Sequence, residues 1–519
     1  MDIFKTKNGS VRGFRPAADV VAVLGIPYAA PPFGAHRFRE PVPAPAWSGV
    51  RDCTEFGPIA PQSAQLPGAP VWSPGDEDIL SVNVWTPAGD GGSLPVLVWI
   101  HGGAYTFGSS AQPDFDGTAL ARAGLVVVTL NYRIGFEGFG HVPGGDVTGH
   151  PDNRGLLDQV AALRWVRDDI AAFGGDPGNV TLAGQSSGAA SVACLMVMDS
   201  ARGLFHRAIA HSVASPYYTR DIAAATTGEI AAAAGCPATP EGLASMAPQA
   251  LVTASDQVVD DYRRDPASGS RHYDPSLYAP VLDGDVLPVD PLTGMAAGAT
   301  RGVDLLVCHT TEEYWLLDAV DSCAKITTDE QLALFAADFG LPGGLVDGYR
   351  AAMSAAPVLD VYLAVFGDLL FGEYSNRLAE AHARAGGRAF LSRFDRRRTG
   401  PGGVVRAWHC ADIPFAFGNQ GDDSAAFLIG GTPTPADHEL GRRMVRAWAD
   451  FATTGDPGWL PVDNSGSQAA AVWSTDDSRV EDGSGNLGAL PAPGALPAPG
   501  ALPALRALWA EVEFPVLRP

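Results

Sequence analysis

Asn179-Val180-Thr181-Leu182-Ala183 runs straight into Gly184-Gln185-Ser186-Ser187-Gly188. A β-rich apolar run that breaks into G-x-S-x-G, followed by the helix-forming Ala189-Ala190-Ser191-Val192-Ala193-Cys194-Leu195, has the strand, sharp turn and helix on which a nucleophilic serine is mounted. The glycines have a steric task, because a side chain at 184 or 188 would collide with neighbouring backbone in so tight a turn. The pentapeptide alone is weak, since 61 glycines in 519 residues make roughly 0.4 chance matches expected. The competing reading is a plain glycine-rich loop, and only the surrounding sequence separates the two.

Upstream, Gly155 to Ile170 carries Leu156, Val160, Leu163, Val166 and Ile170 at spacings of three and four, the apolar stripe of a helix. Phe173-Gly174-Gly175-Asp176-Pro177 stops it just before the strand that leads to Ser186. Pro95 to Ile100 and Leu125 to Leu130 are continuous apolar runs, as expected of strands covered on both faces, whereas Ser81 to Trp85 alternates like a half-buried strand. Strand, helix, strand, nucleophile turn and helix in succession predict an α/β fold with a doubly wound, mostly parallel sheet flanked by helices. Between the two apolar runs, His101-Gly102-Gly103-Ala104-Tyr105 is either a simple tight turn or a turn presenting consecutive backbone N–H groups to a ligand oxygen. The passage from Gly25-Ile26-Pro27-Tyr28-Ala29 through Pro31-Pro32-Phe33-Gly34 to Arg37-Phe38 predicts ordered surface loops.

Downstream, Gly203 to Ala210 predicts a short strand, 220 to 270 an alanine-rich helical region, Pro280 to Asp285 a turn, and Val303 to Cys308 a core strand. Further helices are expected at Ser375 to Ala385 and Glu439 to Ala452. Gly488-Ala489-Leu490-Pro491-Ala492-Pro493 repeats at 494 to 499, so 484–504 reads as a semi-rigid surface linker. The expected organisation is a single domain over 1–483, that linker, and a segment 505–519 whose Leu505, Leu508, Trp509, Val512 and Phe514 dock back on the domain.

Acidic residues number 58 and basic ones 35, for a net charge of −23, which argues against nucleic acid or an anionic membrane as a partner held by net charge. The N-terminus has no apolar core of signal-peptide length and no run approaches a membrane span, so a cytoplasmic protein is expected. Cys53, Cys194, Cys236, Cys308, Cys323 and Cys410 lie far apart without metal-ligand spacing, which predicts free thiols. With no His-Glu-x-x-His, P-loop or dinucleotide fingerprint, neither a metal nor another cofactor is implied.

Taken together, these segments resemble the type-B carboxylesterase family. The resemblance rests on Gly25-Ile26-Pro27-Tyr28-Ala29 with Pro31-Pro32, Asn83-Val84-Trp85-Thr86-Pro87, Trp99-Ile100-His101-Gly102-Gly103-Ala104, Asn131-Tyr132-Arg133, Gly155-Leu156-Leu157-Asp158-Gln159, Phe173 to Pro177 and the Ser186 turn. It covers nearly the whole chain to about 460 and implies the α/β-hydrolase fold and a serine carboxylesterase acting on small-molecule esters. By that resemblance Ser186 is the nucleophile, and the backbone N–H groups of Gly103, Ala104 and Ser187 form the oxyanion hole. His409, in Trp408-His409-Cys410-Ala411-Asp412-Ile413-Pro414-Phe415, is the base. The acid lies in His309-Thr310-Thr311-Glu312-Glu313-Tyr314, where counting from the strand end favours Glu313 over Glu312. His101 is the base's rival by context, and Ser212 matches a serine that bonds near the triad in relatives.

Several positions depart from the family pattern. Gln185 and Ser187 stand where Glu and Ala are common, Ile79 stands where Cys53 would find a partner, and Cys308 and Cys410 replace glycines beside the loops of the acid and the base. The two cysteines are either small buried thiols or a close pair that makes activity sensitive to thiol reagents. Trp72, Tyr105, Phe107, Trp315 and Phe415 are candidates to line an apolar pocket. The same acyl-enzyme chemistry would serve an acyltransferase or cyclase, and a catalytically inactive binding module is the reading from another class.

Overall fold

A computed structural model describes residues 2–63, 71–89, 92–144, 149–400, 403–463, 470–475, 479–481 and 502–517. At the centre of the fold is an 11-stranded sheet. In chain order its strands are β1 (Phe14–Ala17), β2 (Val20–Pro27), β3 (Ser81–Pro87), β4 (Leu94–Ile100), β5 (Val126–Leu130), β6 (Gly175–Gln185), β7 (Arg207–His211), β8 (Asp304–Thr310), β9 (Ala389–Phe394), β10 (Ala470–Trp473) and β11 (Arg479–Glu481). Across the sheet the order is β11-β10-β9-β8-β7-β6-β4-β5-β3-β2-β1. Neighbours from β10 to β5 run parallel, and the remaining pairs run antiparallel.

The apolar runs become central strands because successive side chains feed two cores. Val96, Val98 and Ile100 of β4 pack with Val126, Val128 and Leu130 of β5 on one face, while Leu97, Trp99 and Val127 join the core on the other. With both faces covered, no polar alternation is called for. Helix α1 (Arg154–Asp169) buries the predicted stripe, passes into a 3-10 turn and ends at Gly174 with φ +83°. It carries the chain from β5 past β4 to β6, so the strand order reverses at β4. Such a reversal opens a crevice at the carboxyl ends of the strands, which is where α/β folds place ligands.

The structure differs from the sequence-based expectation in four places. Gly25-Ile26-Pro27 is not loop: it closes β2, where Gly25 at φ +70° marks a register shift against β3 and Pro27 takes the last position. Ile26 and Phe38 are fully buried, and Arg37 is a buried cation paired with Glu137 at 2.6 Å. Val281–Leu282, expected as a turn, pairs in parallel with Pro216–Thr219. Strand β8 runs on to Thr310, two residues beyond Cys308, because β9 continues to pair with it. Strands β9 and β10 carried no motif.

The remaining elements used below are α2 (Ser187–Val197), α3 (Val358–Gly367), α4 (Glu373–Arg384), α5 (Ile413–Phe417), α6 (Pro435–Thr454) and α7 (Leu502–Leu508). A π turn, Asp368–Gly372, joins α3 to α4. Among the described residues, no helix is long and apolar enough to cross a membrane. The linker read at 484–504 lies outside the described residues apart from its last positions, 502–504. After it, α7 and the chain beyond it lie against the domain: Trp509 is buried and donates to Tyr349 Oη at 2.9 Å, and Arg506 meets Glu373 and Glu380. Trp509→Ala is expected to weaken this docking by about 3 kcal/mol, seen as faster proteolytic removal of the terminal segment while the domain stays intact.

Candidate active site

Strand β6 ends at Gln185, α2 begins at Ser187, and Ser186 between them sits at φ +58°, ψ −126°. A non-glycine residue is held there only by its surroundings. Its N–H donates to His211 O at 2.9 Å, and the helix starting at once behind it fixes the other side. The two glycines are sterically required, because a Cβ on Gly184 would stand 2.5 Å from Gly188 O and one on Gly188 would stand 2.2 Å from Ile100 O.

Residues 102–105 follow β4, the parallel neighbour of β6, so adjacency in the sheet brings this turn to Ser186. A Cβ on Gly102 would lie 3.0 Å from Ser186 Cβ. Gly103 at φ +117°, Ala104 at +51° and Tyr105 at +57° form a run of three positive-φ residues, and Tyr105 N donates to Ser187 Oγ at 3.4 Å. Among the described residues, the N–H groups of Gly103, Ala104 and Ser187 have no backbone acceptor, Ser187 being the first residue of α2. His101 is no rival base. It is buried under this turn, stacks on Tyr132 and bonds Gly102 O at 2.8 Å, and burial pulls its pKa down to about 4.

Glu313 and Glu312 take different partners. Glu313 Oε2 lies 2.6 Å from His409 Nδ1, and Glu313 Oε1 accepts from Ser212 Oγ at 2.7 Å and Thr310 N at 2.8 Å. Glu312, fully buried, points away. It accepts from Arg397 at 2.8 Å, Arg406 at 2.6 Å and Ala407 N at 3.0 Å, a structural clamp that leaves it no part near the base. His409 N donates to Glu313 O at 3.1 Å, tying the two loops together through main chain as well.

The other face of the imidazole is occupied by residues whose role the sequence left open. Gln185 Nε2 lies 2.9 Å from His409 Nε2 and 3.2 Å from Cys410 Sγ. With Glu313 accepting at Nδ1, the amide donates to the free lone pair at Nε2, which is the tautomer a general base needs. Phe371, in the π turn, packs against the ring at 4.3 Å with the planes tilted by 32°. Burial disfavours the charged ring, but the Cys410 sulphur and the Glu313 carboxylate outweigh that and hold the pKa of His409 well above the ordinary histidine value. Cys410 itself has φ +70°, a conformation in which glycine is at ease.

Cys308 is elsewhere, fully buried beneath the site beside His211 and Asp412, and burial raises its thiol pKa strongly. Donor atoms of these three residues lie within 4.8 Å of one another. His211 Nδ1 and Asp412 Oδ2 are 2.5 Å apart, closer than the roughly 3.3–3.7 Å between two ligands of one tetrahedral zinc, so the two side chains are hydrogen-bonded to each other. All six cysteines are free.

Of the aromatic candidates, Phe107 lies beside the 102–105 turn, with its Cδ2 3.3 Å from where a Gly103 Cβ would be. Phe415 and Trp315 belong to the core, the latter held by Asp360 and under Arg406, and Trp72 and Tyr105 pack against Phe33 and Phe139. Phe371 was not expected, having no motif around it. Asp412 stood in a quoted segment and His211 between the expected strand Gly203 to Ala210 and Ser212, with nothing to distinguish either.

The carboxylesterase family description matches residues 2–341 and 344–479. The chain belongs to the carboxylesterase family. As a family member it has the α/β-hydrolase fold and is a carboxylic-ester hydrolase. It is 36% identical over 462 residues to the para-nitrobenzyl esterase of Bacillus subtilis, covering 88% of this chain and 90% of that one. It is 34% identical to the fumonisin B1 esterase of Sphingopyxis macrogoltabida, covering 87% and 82%. The structure of the Geobacillus stearothermophilus carboxylesterase EST55 at pH 6.2 superposes with a TM-score of 0.82 at 36% identity, over 98% of this chain and 99% of that one.

Proposed function

We propose that the protein hydrolyses small carboxylic esters through an acyl-Ser186 intermediate, with His409 as base and acid, Glu313 as its partner, and the N–H groups of Gly103, Ala104 and Ser187 as oxyanion donors. The observation that carries this reading is the 2.6 Å contact of Glu313 with His409 Nδ1 at the mouth of the strained Ser186 turn. In the reaction, Ser186 Oγ replaces the Gln185 amide at His409 Nε2 and loses its proton there as it attacks the carbonyl carbon. The negative charge then developing on the carbonyl oxygen meets three N–H dipoles already in place. His409 returns the proton to the leaving alcohol, and water, activated by the same nitrogen, releases the acid and restores Ser186. Glu313 remains ionised throughout and stabilises the imidazolium. The test is alanine substitution of Ser186 with hydrolysis of a short p-nitrophenyl ester as the readout.

The pH dependence follows from the ring. His409 must be neutral to accept the proton, and a raised pKa keeps it charged to higher pH, so kcat/KM falls as pH drops through that pKa. The acid limb of the profile is therefore expected above pH 6.5. Cys410→Gly removes one of the groups that raise the pKa and should shift the limb to lower pH. An unchanged limb would remove Cys410 from the account of the shift.

Cys410 is the partly exposed thiol beside the base, whereas Cys53, Cys194 and Cys308 are buried. A methyl-thiolating reagent is expected to reduce activity more than tenfold, reversibly by reductant. Each protein is compared with its own untreated rate, and Cys410→Gly should lose less than twofold. Equal sensitivity in both would assign the effect to another cysteine.

A further inference from the structure

The geometry points to His211 as a positioning residue that sets the spacing between the nucleophile and the base, an inference that rests on the triad proposed above. His211 is the last residue of β7, in parallel register with Gln185 of β6 on one side and Cys308 of β8 on the other. Its main-chain oxygen accepts from Ser186 N at 2.9 Å. Its side chain reaches the opposite way, with Nδ1 lying 2.5 Å from Asp412 Oδ2. Asp412 is the residue before α5 and stands three positions after His409, on the same turn. One residue thus holds the nucleophile by its backbone and the base's loop by its ring. The next residue, Ser212, holds the acid through Glu313 Oε1 at 2.7 Å, while its own N–H is fixed on Cys308 O at 2.7 Å.

The tie is rigid. His211 and Asp412 are 1% and 0% exposed, and Trp448 of α6 packs edge-on against the imidazole at 5.1 Å. Among the described residues His211 Nε2 and Asp412 Oδ1 are unpaired, so the His211 ring is held by its bond to Asp412, and the other polar group at Asp412 is the Cys308 thiol. Breaking it from one side leaves a buried group unpaired, whereas removing both partners together does not. That asymmetry separates positioning from mere support of the fold. A displacement on the order of 1 Å at a reacting group lowers turnover by roughly 100-fold. A positioning role therefore predicts slow turnover even where stability is restored.

The experiment compares His211→Phe, Asp412→Leu and the double variant His211→Phe/Asp412→Leu, with His211→Asn as the conservative replacement that offers an amide N–H near the place of Nδ1. Thermal melting, kcat and KM on a p-nitrophenyl ester are measured for each, with Ser186→Ala in parallel. The expected result is a double variant that melts near the wild type, with kcat reduced 30-fold or more and KM within threefold. His211→Asn should recover kcat to within fivefold of wild type. A double variant with wild-type kcat overturns the inference, as does His211→Asn being as slow as His211→Phe, or a loss confined to KM. If the double variant does not fold, the comparison of His211→Asn with His211→Phe decides by the same criterion. An active Ser186→Ala would instead refute the triad itself, whatever His211 does.

Discussion

Ser186→Ala lowers kcat on a short p-nitrophenyl ester by about 10⁵-fold, with the fold unchanged. The size follows from what is lost. Without Oγ there is no acyl-enzyme, His409 has no proton to take, and what remains is water held near three N–H dipoles. Stability is unaffected because the Ser186 turn is held by backbone: its N–H on His211 O, the two tight glycines, and the start of α2. Alanine takes the same φ +58° at no greater cost than serine. Circular dichroism and melting temperature beside the kinetics separate loss of chemistry from loss of fold, and a folded Ser186→Ala protein retaining a hundredth of wild-type activity would refute the assignment.

Glu313→Gln and Glu312→Gln give opposite phenotypes although they are sequence neighbours. In Glu313→Gln the remaining oxygen stays with its donors, Ser212 Oγ and Thr310 N, and turns the amide N–H₂ toward His409. A donor at that place forces Nδ1 to accept, so the ring proton moves to Nε2, the atom that must be free to take the proton of Ser186. Turnover is expected to drop by about 10⁴-fold, as wrong-tautomer substitutions do in related triads, with little change in melting temperature. In Glu312→Gln the triad is untouched, but Arg397 and Arg406 lose the buried carboxylate that both contact. The expected cost is about 3 kcal/mol of stability, with kcat of the folded protein within threefold of wild type. Comparable kcat losses in the two variants would contradict this division of roles.

How much of this was legible in the sequence depended on whether a residue's task is local. The Ser186 turn, the glycines at 102 and 103 and the stop at Gly174 act on their own neighbours, and turn chemistry is written in a few consecutive letters. The α/β order was readable for the same reason, since continuous apolar runs admit few other environments. Gly25-Ile26-Pro27 misled because glycine and proline also occur at a bulge and a strand end, and only the partner strand β3 distinguishes those from a loop. The separation of Glu312 from Glu313 needed the positions of Arg397 and Arg406, remote in sequence and gathered only by the fold. Phe371 and the His211–Asp412 pair were silent for the same reason, because a contact spanning 201 residues leaves no local pattern. Gln185 was visible as a departure, but its bond to His409 Nε2 could be read only once the end of β6 and the turn before α5 were side by side.

Everything proposed for the site turns on Ser186 Oγ taking the acyl group. The most direct measurement is the intact mass and peptide map of the protein after partial inactivation by diethyl p-nitrophenyl phosphate. The account predicts one phosphoryl adduct per inactivated chain, carried by Ser186, in proportion to the activity lost. Inactivation with Ser186 unmodified, or with the stoichiometric adduct on another residue such as Cys410, would contradict it.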